Sequence, residues 1–182
     1  MSLTPLWISL QTALCATAFT CVLGVRTARW RLRWRGRIGP AVDAALLFPL
    51  ALPPSVLGLV LLLVFGRSSP LGRALSDAGM TIIFSWPATV LAAFVVSFPI
   101  MYQTACGAFR QVNSELVDAA RVFGRSEWRN FVRVVIPLAW PGLTAGTILS
   151  FLRALGEFGA TVMIAGNIPG PTQTAPVAVL FA

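Results

Sequence analysis

Runs of apolar residues too long for a soluble core, separated by short polar segments, set the rhythm of this chain. Leu6–Val25, Ala44–Phe65 and Ala78–Phe109 carry no charge, and Pro137–Ala165 carries only Arg153 and Glu157. A hydrocarbon core about 30 Å thick takes about twenty apolar residues in helical form, and only helices and closed barrels satisfy every backbone N–H and C=O without water. The pattern therefore predicts four full transmembrane helices. A further apolar run, Ala175–Ala182, follows a Pro- and Gly-rich loop and is too short to span, so the chain is expected to stop, C-terminally truncated, at the start of a fifth helix. The expected fold class is an all-α polytopic membrane helix bundle, with residues 1–182 forming a single transmembrane domain. Prolines within the spans (Pro49, Pro53, Pro54, Pro87, Pro99, Pro137, Pro141) predict bent helices, either lining a pathway or tolerated as kinks by their neighbours.

Composition excludes most chemistry. Apolar residues make up 57% of the chain and charged ones 11%, against about a quarter charged in soluble domains. All 14 basic residues are arginine, and there is neither lysine nor histidine. Without lysine there is no phosphate-binding loop of the form GxxxxGK[ST] and no Schiff base, so any ATPase must be another chain. Without histidine the commonest metal ligand and general base are missing. Cys15, Cys21 and Cys106 have no CxxC spacing and read as small packing residues. Neither a metal nor a cofactor is expected, and no enzyme. The net charge of +8 does not point to nucleic acid either, because the arginines lie between hydrophobic spans rather than on a polar face beside aromatics.

Those arginines orient the spans. Arg26, Arg29, Arg31, Arg33, Arg35 and Arg37 follow the first span, and Arg110, Arg121, Arg125, Arg129 and Arg133 follow the third, whereas only Arg67 and Arg73 follow the second. The positive-inside rule makes the two arginine-rich segments cytoplasmic and puts the N-terminus outside. The cluster Arg26–Arg37 reads first as a topological anchor and second as a lipid contact. A cleaved signal is not expected, since the basic residues follow the first apolar run rather than precede it.

Between Arg110 and Pro137 the pattern changes to short amphipathic helices. Leu116, Ala119, Ala120 and Phe123 recur at helical spacing behind Asn113 or Ser114 as cap, and Gly124 stops the helix. A second helix starts at Ser126, with Glu127 in its first turn, Trp128, Phe131, Val132 and Val135 on its apolar face and Arg129, Asn130 and Arg133 on its polar face. Two short helices hinged at a glycine form a knob that a groove on another protein could hold.

The order Asp118-Ala119-Ala120, three residues, Gly124, nine residues, Val134-Val135-Ile136-Pro137 resembles the EAA loop of ABC importer permeases, with conservative replacements at Asp118, Val134 and Ile136. The resemblance implies that residues 113–137 are a cytoplasmic coupling loop that docks on ATPase subunits through Asp118, Ala119, Ala120, Gly124, Arg125 and Trp128. The stretches Leu52–Gly58, Phe84–Trp86, Ser97–Pro99, Ser150–Thr161 and Gly166–Gly170 resemble the molybdate branch of the sulfate, molybdate and tungstate permeases. This implies a bacterial inner-membrane permease subunit, paired with a second copy, that receives a tetrahedral oxyanion from a periplasmic binding protein and catalyses no bond change itself. Molybdate is the first expectation, with sulfate, thiosulfate or tungstate as alternatives within the family.

A channel or secondary transporter is the alternative of a different class, but it would place more ionisable groups on its spans than Arg153 and Glu157. These two stand four residues apart, so they can meet on one helix face. Counted from Pro141, Arg153 lies about 18 Å along a helix, within the hydrocarbon thickness. The pair is expected to lie inside the bundle, either as packing glue beside Gly142, Gly146 and Ser150 or as a transient attraction for a passing dianion.

The topology predicts a labelling pattern. In a chain freed of its own cysteines, an impermeant thiol reagent added from outside should reach Ser2→Cys and Ser69→Cys but not Gly36→Cys. The reverse pattern would overturn the orientation.

Overall fold

The computed structural model describes residues 3–33, 36, 38–122 and 126–181. Among the described residues three helices are long and apolar enough to cross a membrane: α1 (Thr4–Arg33), α5 (Trp86–Arg110) and the continuous helix Glu127–Leu155. That last helix consists of α7 (Glu127–Asn130), a π-helical turn (Phe131–Val135) and α8 (Ile136–Leu155). The second apolar segment is not one straight span. It divides into α2 (Gly39–Ala51) and α3 (Pro54–Phe65), which meet at a 110° bend. The cause is local: Pro53 and Pro54 lack N–H groups, and Leu52 takes an extended conformation (φ −88°, ψ 139°). Shorter helices follow as α4 (Pro70–Asp77), α6 (Ser114–Val122), α9 (Gly159–Ala165) and α10 (Ala175–Leu180).

The sequence boundaries shift in three places. The first helix does not stop at Val25 but runs to Arg33, because Arg26–Arg33 contains no glycine or proline and arginine is a good helix former. The third span starts at Trp86 rather than Ala78. Gly79 (φ 77°) and Phe84 (φ 58°) take left-handed backbone conformations, and Pro87 occupies the first turn. The second amphipathic helix of the expected coupling loop is no separate knob, since it forms the first turns of the fourth span. Pro137 cannot donate a hydrogen bond and its ring crowds the carbonyl of the preceding turn, and the widened π turn just before it absorbs the mismatch without ending the helix.

Hydrogen bonds and close approaches give the directions of the helices. Thr12 Oγ1 meets Thr89 Oγ1 at 3.0 Å, and Thr20 Oγ1 meets Ser97 Oγ at 3.1 Å. Both pairs are separated by 77 positions, so α1 and α5 run parallel. A methyl group added at Gly142 would lie 2.6 Å from Ala108 Cβ, and one at Gly146 3.0 Å from Thr104 Cβ, so α8 runs antiparallel to α5. Parallel neighbours require one return crossing between them, and the bent α2–α3 pair makes it. Asp43 of α2 lies beside Tyr102 near the end of α5, and Leu61 of α3 packs in one cluster with Ala88 near its start. The arginine-bearing ends of α1 and α5 therefore share one end of the bundle with α6 and α7.

The core is rich in small residues. Ala13, Ala16, Ala88, Ala92, Ala93, Ala105, Ala154, Ala160 and Ala165 are buried almost completely, whereas Leu6, Leu14, Phe19, Leu63, Trp140 and Ile148 are exposed. In lipid, helices gain little from burying bulky apolar groups against one another, and small residues that permit close backbone approach take their place. The chain is an all-α polytopic membrane bundle.

A close approach between two backbones gives a test. An added methyl at Gly58 would lie 2.7 Å from Ala160 Cα, whereas one at Gly107 meets nothing within 4 Å. Gly58→Ala should destabilise the protein by about 1–3 kcal/mol, read as a lowered thermal midpoint in detergent. Gly107→Ala should leave the midpoint unchanged or raise it, since alanine is the better helix former by up to about 1 kcal/mol.

Candidate functional site

Two regions bring the sequence-predicted residues together. Within the bundle, away from the arginine-bearing end, lie the two helix breaks, Leu52–Pro53 between α2 and α3 and Gly156–Phe158 between α8 and α9. They face each other, for an added methyl at Gly159 would lie 3.0 Å from Pro54 Cβ. Phe84 N–H donates to Ile164 O at 3.1 Å and ties the loop before α5 to the same place. Four of the five stretches that resemble oxyanion permeases thus meet here, Gly166 closing on Phe84, although they are far apart in the chain. In membrane transporters, irregular backbone at depth is tolerated where it is buried in protein or lines a cavity, and broken helices supply polar backbone ends there.

Arg153 and Glu157 hold this corner. Arg153 Nη1 donates to Glu157 Oε2 at 2.6 Å, and Glu157 Oε1 accepts from Ala160 N at 2.7 Å. The two residues do not share one helix, because α8 ends at Leu155 and Glu157 sits in the break. The four-residue spacing still lets them meet, since the chain turns back over the last helical turn. One carboxylate thereby joins the end of α8 to the first turn of α9. Its side chain is 1% exposed and that of Arg153 29%. The small residues Gly142, Gly146 and Ser150 pack α8 against α5 along its length, on the approach to the charged pair.

The arginine-bearing end carries the residues expected to couple to an ATPase. Asn113 Oδ1 accepts from Glu115 N at 2.9 Å and starts α6, which carries Asp118, Ala119 and Ala120. This helix buries little of itself within the chain: Leu116 is 51% exposed and Val122 86%, and Asp118 and Ala119 are exposed. Phe123, Gly124 and Arg125 lie outside the described residues. Beyond them Ser126 Oγ caps α7 by accepting from Arg129 N. Trp128 is 64% exposed, with its ring centroid 6.2 Å from that of Phe131, and Phe131 packs edge-on against Phe109 at 5.5 Å. Asn130 does not lie on a polar surface face but is buried. The π turn rotates the helix face, carrying Asn130 inward while Trp128 and Val132 stay exposed.

One polar cluster at this end escapes a reading by motif. Arg31 Nε donates to Asp43 Oδ1 and Arg31 Nη2 to Asp43 Oδ2, both at 2.8 Å, and the Tyr102 hydroxyl also donates to Asp43 Oδ1. The signal was present in weak form. Tyr102 is the sole tyrosine and stands within an apolar span, and Asp43 is an acid at the edge of another, so both needed partners. Nearby, a hollow of about 370 Å³ between α5 and α8 is lined in part by Thr104 and Gln111.

Comparison with known proteins follows the same lines. Residues 21–179 match the family described as binding-protein-dependent transport system inner membrane component. A putative molybdenum transport system permease protein of Bacillus subtilis is 43% identical over 98% of this chain and 79% of its own length. The molybdenum transport system permease protein of Escherichia coli is 41% identical over 94% of this chain and 75% of its own length, and that of Mycobacterium tuberculosis 40% identical over 97% and 67%.

The corner pair yields a double-mutant test. Removing one partner of a buried ion pair costs on the order of 3 kcal/mol, because the other charge is left unpaired. Arg153→Gln and Glu157→Gln should each lower the level of folded protein in the membrane, and the double variant should recover part of it. Wild-type levels in all three would remove the pair from a structural role, and wild-type molybdate uptake as well would remove it from a transport role.

Proposed function

The chain belongs to the inner-membrane components of binding-protein-dependent transport systems, and on that premise we propose that it is the permease subunit through which molybdate enters the cytoplasm. The observation that carries the cargo is the name shared by the relatives, molybdenum transport system permease, at an identity that extends over nearly the whole chain. Sulfate, thiosulfate and tungstate pose the same physical problem of a tetrahedral dianion. They remain the alternatives within the family.

In the proposed mechanism a binding protein delivers the oxyanion on the side where α2–α3 and α8–α9 break, and two ATPase subunits act at the other. Two copies of this chain enclose the path between them, while the outward apolar side chains meet lipid. The N-terminus lies outside, which puts the arginine-bearing ends of α1 and α5 in the cytoplasm. The exposure of α6 supports ATPase docking there. A helix of nine residues is marginal in water unless packing supports it, and its apolar Leu116 and Val122 find that support in a partner's groove. Asp118, Ala119, Ala120, Gly124, Arg125 and Trp128 form the docking segment. Arg153 and Glu157 keep the α8–α9 corner closed around the path.

The complex purified with its ATPase and binding protein should hydrolyse ATP faster when the binding protein is loaded with molybdate or tungstate. Stimulation only by a binding protein loaded with a sugar or an amino acid would refute the oxyanion assignment.

A further inference from the structure

The end of α1 touches two parts of the protein that have no reason to be joined by an anchor. Residues two apart on a helix point to nearly opposite sides, while residues four apart share a face. Arg29 and Arg33 accordingly turn toward the start of the fourth span. The Arg29 guanidinium carbon lies 3.8 Å from the Phe131 ring centroid and 4.9 Å from that of Trp128, and Arg33 Nη2 lies 3.3 Å from Glu127 Oε2. Arg31 turns the other way and closes a two-pronged pair on Asp43 of α2, which also accepts from Tyr102 of α5.

These contacts differ in kind. The Arg33–Glu127 pair is more than half exposed on both sides, and such pairs contribute little. The Arg31 side chain is 13% exposed, and its planar fork matches a carboxylate in a way that a lysine ammonium cannot. A topological anchor needs only positive charge at the membrane edge, so neither the fork on Asp43 nor the stacking over Trp128 and Phe131 serves anchoring.

We propose that Arg29, Arg31 and Asp43 are positioning residues for transport: the end of α1 relays displacement of the ATPase-docking segment to the bent α2–α3 pair, with the Arg31–Asp43–Tyr102 cluster as the rigid joint and Arg29 as the contact on Trp128 and Phe131. The inference rests on the docking reading of the preceding subsection. It adds a route by which motion at α6 and α7 reaches the helix break at Leu52–Pro53 without passing along α8.

The test is the number of molybdate ions imported per ATP hydrolysed, measured in proteoliposomes holding the complete complex. Arg31→Lys keeps the charge that anchoring needs but loses the fork, so it separates the two roles. Arg31→Lys, Asp43→Asn and Arg29→Gln should each lower the ratio about fivefold or more, the size of a modest coupling free energy. The double variant Arg29→Gln/Asp43→Asn should be no worse than the poorer single, since both interrupt one path. Where Asp43→Asn fails to reach the membrane, Tyr102→Phe, which removes one hydroxyl, takes its place with the same expectation. An unaltered ratio in Arg31→Lys together with Asp43→Asn or Tyr102→Phe overturns the relay, as does a double variant whose losses multiply. If the ATPase subunits do not co-purify with the unaltered chain, the docking reading falls and the relay with it. Normal co-purification with an unaltered ratio overturns the relay alone.

Discussion

Everything in this bundle depends on how closely two helices can approach α5. In a membrane the helices are as apolar as their surroundings, so they gain nothing from merely hiding side chains, and what remains is contact between backbones. The buried face of α5 carries Ala88, Ala92, Ala93, Ser97, Ala105, Cys106 and Ala108 beside the larger Met101, Tyr102 and Phe109, and the neighbouring α1 and α8 bring small residues to the packing, among them Ala13, Ala16, Gly24, Gly142, Gly146 and Ser150. The Thr12–Thr89 and Thr20–Ser97 contacts are each worth roughly 0.6 kcal/mol by analogy with other membrane helices. Such bonds set the register of helices that packing holds together.

Register in turn decides sidedness. Because α1 and α5 are parallel, the chain must return once between them, and it does so with a helix broken at Pro53 and Pro54 rather than with a straight one. The break has a counterpart at Gly156–Phe158, and the two meet where Gly58 and Gly159 leave room for the opposing backbone. Freed backbone groups need partners in such a place, and Glu157 supplies one for Ala160 N while Arg153 balances its charge.

The other end is polar for a different reason. There α1 outruns its apolar segment by two turns, and the arginines it carries find an acid on one side and aromatic rings on the other. Helix α6 leans on the start of the fourth span and leaves most of its surface exposed. One end of the molecule is closed by internal pairing, and the other presents a surface that a second protein can complete.

The sequence by itself determined the membrane class, the approximate spans, the relative sidedness of the arginine-rich ends and the family, because each rests on quantities that are additive along the chain: uninterrupted apolar length, arginine count, and the spacing from Asp118 to Pro137. The Arg153–Glu157 contact was also legible from the four-residue spacing, although the helix expected to carry both ends at Leu155 and the chain turn brings Glu157 back to Arg153. Tertiary structure alone decided which face of α7 is buried, because a single π turn rotates it and puts Asn130 inside. It alone joined Arg31 to Asp43 and Tyr102, and Leu52–Gly58 to Gly156–Thr161. Such pairings depend on the relative placement of helices separated by scores of residues, and that placement is set by close packing of small side chains whose spacing looks the same on every face of an apolar span.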